Sequence, residues 1–176
     1  AQANNLKDSG LKVIIGLKEG GSSWGKAVSD GHEVMSVAEA CKMADIIHIL
    51  IPDMVQSQVY KNEIEPNLSE GNALAFSHAA AIYWGWIKAP DNVDIIMVAP
   101  KGPGSKVRET YLDGFGTPSI VAVEQDKTGT AWDRTLGIAK GIGSARAGLI
   151  KTTFKEEVET DWFGEQADLC GGSASM

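Results

Sequence analysis

Cysteine is scarce in this chain: Cys41 and Cys170 are the only two in 176 residues. They form no CxxC pair and give no disulfide framework. Long apolar runs are also missing. No stretch reaches the roughly 18 apolar residues of a membrane helix, which excludes a transmembrane span. Positive charge is in deficit, with 16 Lys and Arg against 23 Asp and Glu and a net charge of −7. The corresponding pI is near 4.9. Such a surface argues against nucleic acid or an anionic membrane as partner. The opening Ala1-Gln2-Ala3-Asn4-Asn5 has neither a basic n-region nor an apolar h-region, so no signal peptide is expected. Together these absences fit a reducing cytoplasm. No internal repeat and no low-complexity segment interrupts the chain.

A 43% hydrophobic content is ordinary for a globular protein, and the length bounds the chain to one domain, or one domain plus a fragment. Apolar runs alternate with helical patterns, the signature of βαβ units and a mostly parallel sheet. Strands are expected at Leu11–Leu17, Glu33–Met35, Ile46–Ile51, Asn72–Phe76, Val93–Val98 and Ser119–Val123. Ser36-Val37-Ala38-Glu39 reads as a capping box opening a helix through Ala44. Asp53 reads as the cap of a helix towards Lys61, and Ala131–Lys140 as a further helix. Pro66 marks Asn62–Ser69 as a short connection, and Asp126–Gly129 reads as a turn. A boundary is expected near Lys151, where the apolar Ala147–Ile150 run gives way to a charged helix.

A doubly wound dinucleotide-binding domain opens with a strand, a Gly-rich turn and a helix whose N-terminus holds the pyrophosphate. Here Ala1–Ser9 already looks like that helix, ending at Gly10. The strand and turn have no counterpart, and in the usual strand order that strand lies at the sheet centre. Gly141-Ile142-Gly143 is no substitute. It follows a helix pattern, and the sixth position of the fingerprint is Arg146.

Asp161 and Glu165 lie four residues apart in Thr160-Asp161-Trp162-Phe163-Gly164-Glu165-Gln166. On a helix both carboxylates share one face. Two hard oxygen ligands suit Mg²⁺, which often takes one or two protein carboxylates and leaves other positions to water and substrate. On spacing alone a solvated acidic face is the simpler account, because Glu156, Glu157 and Glu159 are close by.

The wording of this segment is specific. Thr152 to Asp161, then Phe163-Gly164-Glu165-Gln166 and Leu169-Cys170-Gly171-Gly172, resembles ketol-acid reductoisomerase, also called acetohydroxy acid isomeroreductase. Further matching stretches are Gly16-Leu17-Lys18-Glu19-Gly20, Ile51-Pro52-Asp53 with Gln56, Glu63 to Leu68, and Met97 to Gly104. The resemblance runs from Ala1 to about Gly172. It implies an α/β fold, a Rossmann-like doubly wound parallel sheet lacking its first strand and Gly-rich turn, followed by the start of an all-α domain. Residues 1–151 would be the NADP-binding domain and 152–176 the first helix of a knotted helical domain. The cofactors implied are NADPH and Mg²⁺, and the substrate an acetohydroxy acid.

The resemblance also distributes roles. Asp161 and Glu165 become metal ligands. His78, at the close of Asn72–Phe76, matches the active-site histidine, and Lys101 matches a lysine near substrate and metal; His32 and His48 are expected to be structural. Asp53, Met54, Val55 and Gln56, after a strand end, take cofactor contacts, as does Gly104. Lys18 stands where a cation accommodates the 2′-phosphate of NADP; Ser22 lies beside it and Ser23 matches a phosphate-binding serine. Gly21 replaces a second such serine. After His78 the family usually has Gly and a polar residue, whereas here Ala79-Ala80-Ala81-Ile82-Tyr83-Trp84 follows. The expected activity is alkyl migration and reduction of 2-acetolactate in valine, leucine and isoleucine synthesis. The alternatives are a non-catalytic nucleotide-binding or structural remnant of this fold, and a reductase of the β-hydroxyacid type, against which the Asp161/Glu165 pair speaks. With the first strand and the further metal carboxylates outside the chain, the expectation is little turnover from these 176 residues. Self-association through unpaired strand edges and through Trp162, Phe163 and Leu169 is also expected.

Overall fold

The computed structural model describes residues 1–165. Leu169, Cys170, Gly171 and Gly172 lie outside the described residues. Seven strands fall into two sheets. A parallel pair joins β1 (Ile14–Gly16) to β2 (Glu33–Met35). A five-stranded sheet runs β3 (Ile46–Ile49), β4 (Ala73–Phe76), β5 (Asp94–Pro100), β6 (Ser119–Gln125) and β7 (Leu149–Lys151). All its pairs are parallel except β5–β6. Among the described residues no ladder links β1 to β3.

Sheet composition follows burial. β4 and β5 are covered on both faces, so Ala73–Phe76 and Ile95–Ala99 are buried along their whole length, which is why they read as unbroken apolar runs. On one face Ile47, Ile49, Leu74, Phe76, Ile95 and Met97 pack with Tyr60, Ile64, Phe154 and Val158. On the other, Ala73, Ala75, Ile96, Val98 and Val121 meet α7 (Ala131–Gly141) through Ile138 and Ala139, with Leu6 of α1 (Gln2–Asp8) alongside. Asn5 is fully buried. Its amide donates to the carbonyls of Val107 and Ile142, which ties α1 to its neighbours. The buried carboxylate of Asp94 is not left bare: it accepts the N–H groups of Lys127 and Thr128 and pairs with Arg134 at 3.2 Å.

Local signals succeed where a side chain completes them. Ser36 forms the capping box of α3 (Val37–Met43) with Glu39, and Gly10 ends α1 at φ +87°. Two expectations need correction. Asp53 is not the cap of α4 (Asp53–Val59) but its first residue, behind Pro52, and it accepts from Gln56 instead. Asn62–Ser69 is not a plain connection. The helix continues as a π turn over Tyr60–Ile64 and a 3₁₀ turn over Glu65–Asn67. Pro66 falls at the start of the 3₁₀ turn, where its fixed φ suits a helical backbone. Short α2 (Trp24–Ser29), α5 (Ala80–Tyr83), α6 (Gly104–Leu112) and α8 (Ser144–Ala147) also form. Gly143 caps α8 at φ +92°, and Gly141-Ile142-Gly143 turns the chain from α7 into α8. The described part ends with α9 (Phe154–Glu165), seated on the core through Phe154 and Val158 at i, i+4.

Candidate active site

Ligands in open α/β sheets bind beyond the C-terminal strand ends, and a cleft of about 510 Å³ opens there. β3 leads to Asp53, β4 to Ser77 and His78, and β5 to Pro100, Lys101 and Gly102. α9 crosses the same opening with Glu157, Asp161 and Trp162. Residues far apart in sequence are thereby drawn to one spot.

Glu157 organises the polar wall. It is 1% exposed, yet both its oxygens are engaged. Oε2 accepts the Ala79 N–H at 2.9 Å and Oε1 accepts from His78 Nδ1 at 3.1 Å. Lys101 Nζ stands 3.6 Å from Glu157 Oε1 and donates to Asp161 Oδ1 at 3.4 Å. Asp161 Oδ2 is 3.7 Å from His78 Nδ1. Burial alone pushes the Glu157 carboxyl up. The hydrogen bonds from His78 and Ala79, with the His78 and Lys101 charges, outweigh it and hold the group below its ordinary value. The Glu157 hydrogen bond raises His78 against the opposing effect of burial, with the Glu157 and Asp161 charges adding to it.

Ligating atoms of His78, Glu157 and Asp161 lie within 4.8 Å of one another, a spacing that can hold a metal ion. Hard carboxylate oxygens fit Mg²⁺. Asp161 is the better placed of the two acids, because its side chain is 31% exposed and borders the cleft. Glu165 closes α9, and its side chain lies outside what the structure describes. Glu157 escaped the sequence reading, which counted it with a solvated acidic face. Its signal was the i, i+4, i+8 spacing of Glu157, Asp161 and Glu165.

The nucleotide-facing candidates are dispersed. Lys18, Ser22 and Ser23 are exposed in the turn after β1, on the two-stranded sheet. The Ser23 side chain makes no cap bond to α2, so its hydroxyl is available. Met54 and Val55 are exposed. Gln56 is buried: its amide nitrogen donates to the Ile51 carbonyl and to Asp53 Oδ1, while Oε1 has no partner among the described residues. That orphaned acceptor fits a ligand bearing hydroxyl or N–H groups. Gly104 opens α6 beside Ala1. In the cleft wall Ser77 donates to the Val98 carbonyl at 2.8 Å and therefore accepts from Gln2 and His48. Burial pushes His48 down to about 4, so it stands neutral there. His32 meets Asn4 on α1.

Comparison with known proteins bears on the same residues. The family profile described as acetohydroxy acid isomeroreductase, NADPH-binding domain, matches residues 1–148. A ketol-acid reductoisomerase (NADP(+)) of Nitrosopumilus maritimus is 84% identical over the whole chain, and one of Methanocaldococcus jannaschii is 60% identical. In each case the match covers 53% of the relative, so the chain spans about half the length of the curated relatives it matches. A solved NADH-preferring ketol-acid reductoisomerase from an uncultured archaeon aligns over 96% of this chain and 53% of its own, at 46% identity and a TM-score of 0.92. A 3-hydroxyisobutyrate dehydrogenase from Salmonella typhimurium, 15% identical at a TM-score of 0.65 over 93% of this chain and 56% of its own, shares the fold alone.

Proposed function

Because the chain belongs to the acetohydroxy acid isomeroreductase family, we propose that it supplies the cofactor-binding half and part of the metal site of a ketol-acid reductoisomerase. The substrates are 2-acetolactate and 2-aceto-2-hydroxybutyrate, and the products are the 2,3-dihydroxy acids of valine, leucine and isoleucine synthesis in the cytoplasm. Residues 1–151 form the nucleotide unit, and 152–176 begin the metal-bearing helical part. One observation carries the reading: Asp161, Glu157, His78 and Lys101 converge within one cleft at the strand ends.

When bound, Mg²⁺ polarises the carbonyl and hydroxyl of the acid, and NADPH supplies the hydride. Asp161 and Glu165 hold the metal. Lys101 presents an ammonium to the anionic substrate and balances the carboxylates. Glu157 fixes His78 by its Nδ1 proton, and Nε2, with no protein partner among the described residues, is free to exchange a proton with the ligand. Lys18, Ser22 and Ser23 hold the 2′-phosphate of NADPH, and Asp53, Met54, Val55, Gln56 and Gly104 line the dinucleotide path.

The test is a chimera. These 176 residues replace the matching stretch of the Nitrosopumilus maritimus relative, and NADPH oxidation is followed with 2-acetolactate and Mg²⁺. The expected result is metal-dependent turnover that Asp161→Asn abolishes. A folded chimera that binds NADPH and lacks turnover contradicts the reading.

A further inference from the structure

The cleft is polar almost everywhere. Of its nine lining residues, only Pro100 and Trp162 present apolar side chains. Trp162 follows Asp161 on α9 and is fixed from behind. Its ring centroid lies 5.4 Å from that of Trp84, tilted by 33°. Trp84 is met edge-on by Tyr83 at 4.8 Å, and the Tyr83 hydroxyl donates to Glu159 on α9 at 3.2 Å. This three-ring ledge joins the end of α5 to α9. Trp162 remains 43% exposed. A stacked indole is already ordered, so a ligand that touches it meets no rotamer cost.

A small acid bound by Lys101 and the carboxylate cluster must turn its alkyl branch somewhere. We propose that Trp162, held by Trp84, is the wall that grips this branch and sets the preference between a methyl and an ethyl group. The proposal rests on the reductoisomerase reading and goes beyond it, since it names the group that reads substrate length. A methylene buried on the indole is worth about a fourfold change in affinity.

The experiment is ligand-observed saturation transfer on the chimera described above with Mg²⁺, using 2-acetolactate and 2-aceto-2-hydroxybutyrate in turn. Saturating the indole protons should pass magnetisation to the alkyl protons of both acids. The ethyl-bearing acid should bind about fourfold tighter. In Trp162→Ala the transfer should fall and the affinity ratio should approach one, while both acids still bind through their carboxylates. Trp84→Phe should keep the ratio, and Trp84→Ala should lower it. If Trp162→Ala loses its cooperative melt, Trp84→Ala carries the test from outside the cleft. A ratio unchanged in these alanine variants overturns the proposal. Equal binding of the two acids by the parent chimera overturns it as well and leaves the reductoisomerase reading intact. Binding of neither acid by the chimera contradicts that reading itself.

Discussion

Removing the Glu157 carboxylate should uncouple His78 from the fold. Glu157→Ala leaves the Ala79 N–H, whose residue is fully buried, without its acceptor, and strips His78 of its hydrogen-bonded counter-charge. Breaking a buried pair by deleting one partner costs about 3–5 kcal/mol. The His78 side chain is 23% exposed, so water screens part of this and about 2–4 kcal/mol is expected. Glu157→Gln keeps the volume and one carbonyl acceptor for Ala79. Its amide N–H groups then face His78 Nδ1, which must become the acceptor of a neutral imidazole. That variant should lose about 1–2 kcal/mol. Because His78 is raised above its ordinary 6.5, its contribution is complete below 6.5 and disappears as pH rises through the elevated value. Glu157 is lowered below its ordinary 4.5, so its contribution is complete above 4.5 and disappears only in acid. The pair is therefore strongest between these values. A double-mutant cycle of Glu157→Gln with His78→Gln, read by urea unfolding, should give a coupling of about 1–2 kcal/mol near pH 6 that shrinks near pH 9. A coupling near zero at pH 6, or one that grows with pH, would refute the reasoning.

The neutral His48 should act in the opposite direction. With its folded value near 4 against 6.5 unfolded, the unfolded chain binds more protons between these limits, so stability falls as pH drops through that window, by at most about 3 kcal/mol. His48→Met should flatten this part of the melting profile; an unchanged slope counts against it. Cofactor titration should favour NADPH over NADH, and Lys18→Glu should reverse the order through repulsion of the 2′-phosphate. Equal affinities in the parent chain would contradict the assignment of Lys18, Ser22 and Ser23. The unpaired edges of β1 and β3, with Trp84, Trp86, Trp162 and Phe163 exposed, should drive self-association. Sedimentation of a cooperatively folding monomer at micromolar concentration would show otherwise.

Much of the sheet was legible in the sequence because burial writes itself as apolar runs. β2 was placed to the residue, and β4 differs only at its first position. β7 was not foreseen. It is three residues long, its burial is partial, and it pairs with β6 only because the chain returns after α8. The π turn at Tyr60–Ile64 was hidden behind Pro66, whose breaking signal is true only inside a longer helix. In the site, Asp161, His78 and Lys101 were singled out through resemblance, and they line one cleft. Glu157 was missed because a buried acid looks like a surface acid until its partners are known. Ser77 and Trp162 were missed for a similar reason, since nothing local marks a serine or an indole that acts by tertiary placement.

The central claim is that Asp161, beside His78 and Glu157 in the cleft, holds a divalent cation. Mn²⁺ can report it directly, as a paramagnetic stand-in for Mg²⁺ with the same preference for oxygen ligands. Added to the isotope-labelled chain, Mn²⁺ should broaden the Ala79 amide, the His78 ring and the Trp162 indole before other resonances. Excess Mg²⁺ should restore them, and Asp161→Asn should abolish the effect. Broadening centred elsewhere, or unchanged in Asp161→Asn, would contradict the account.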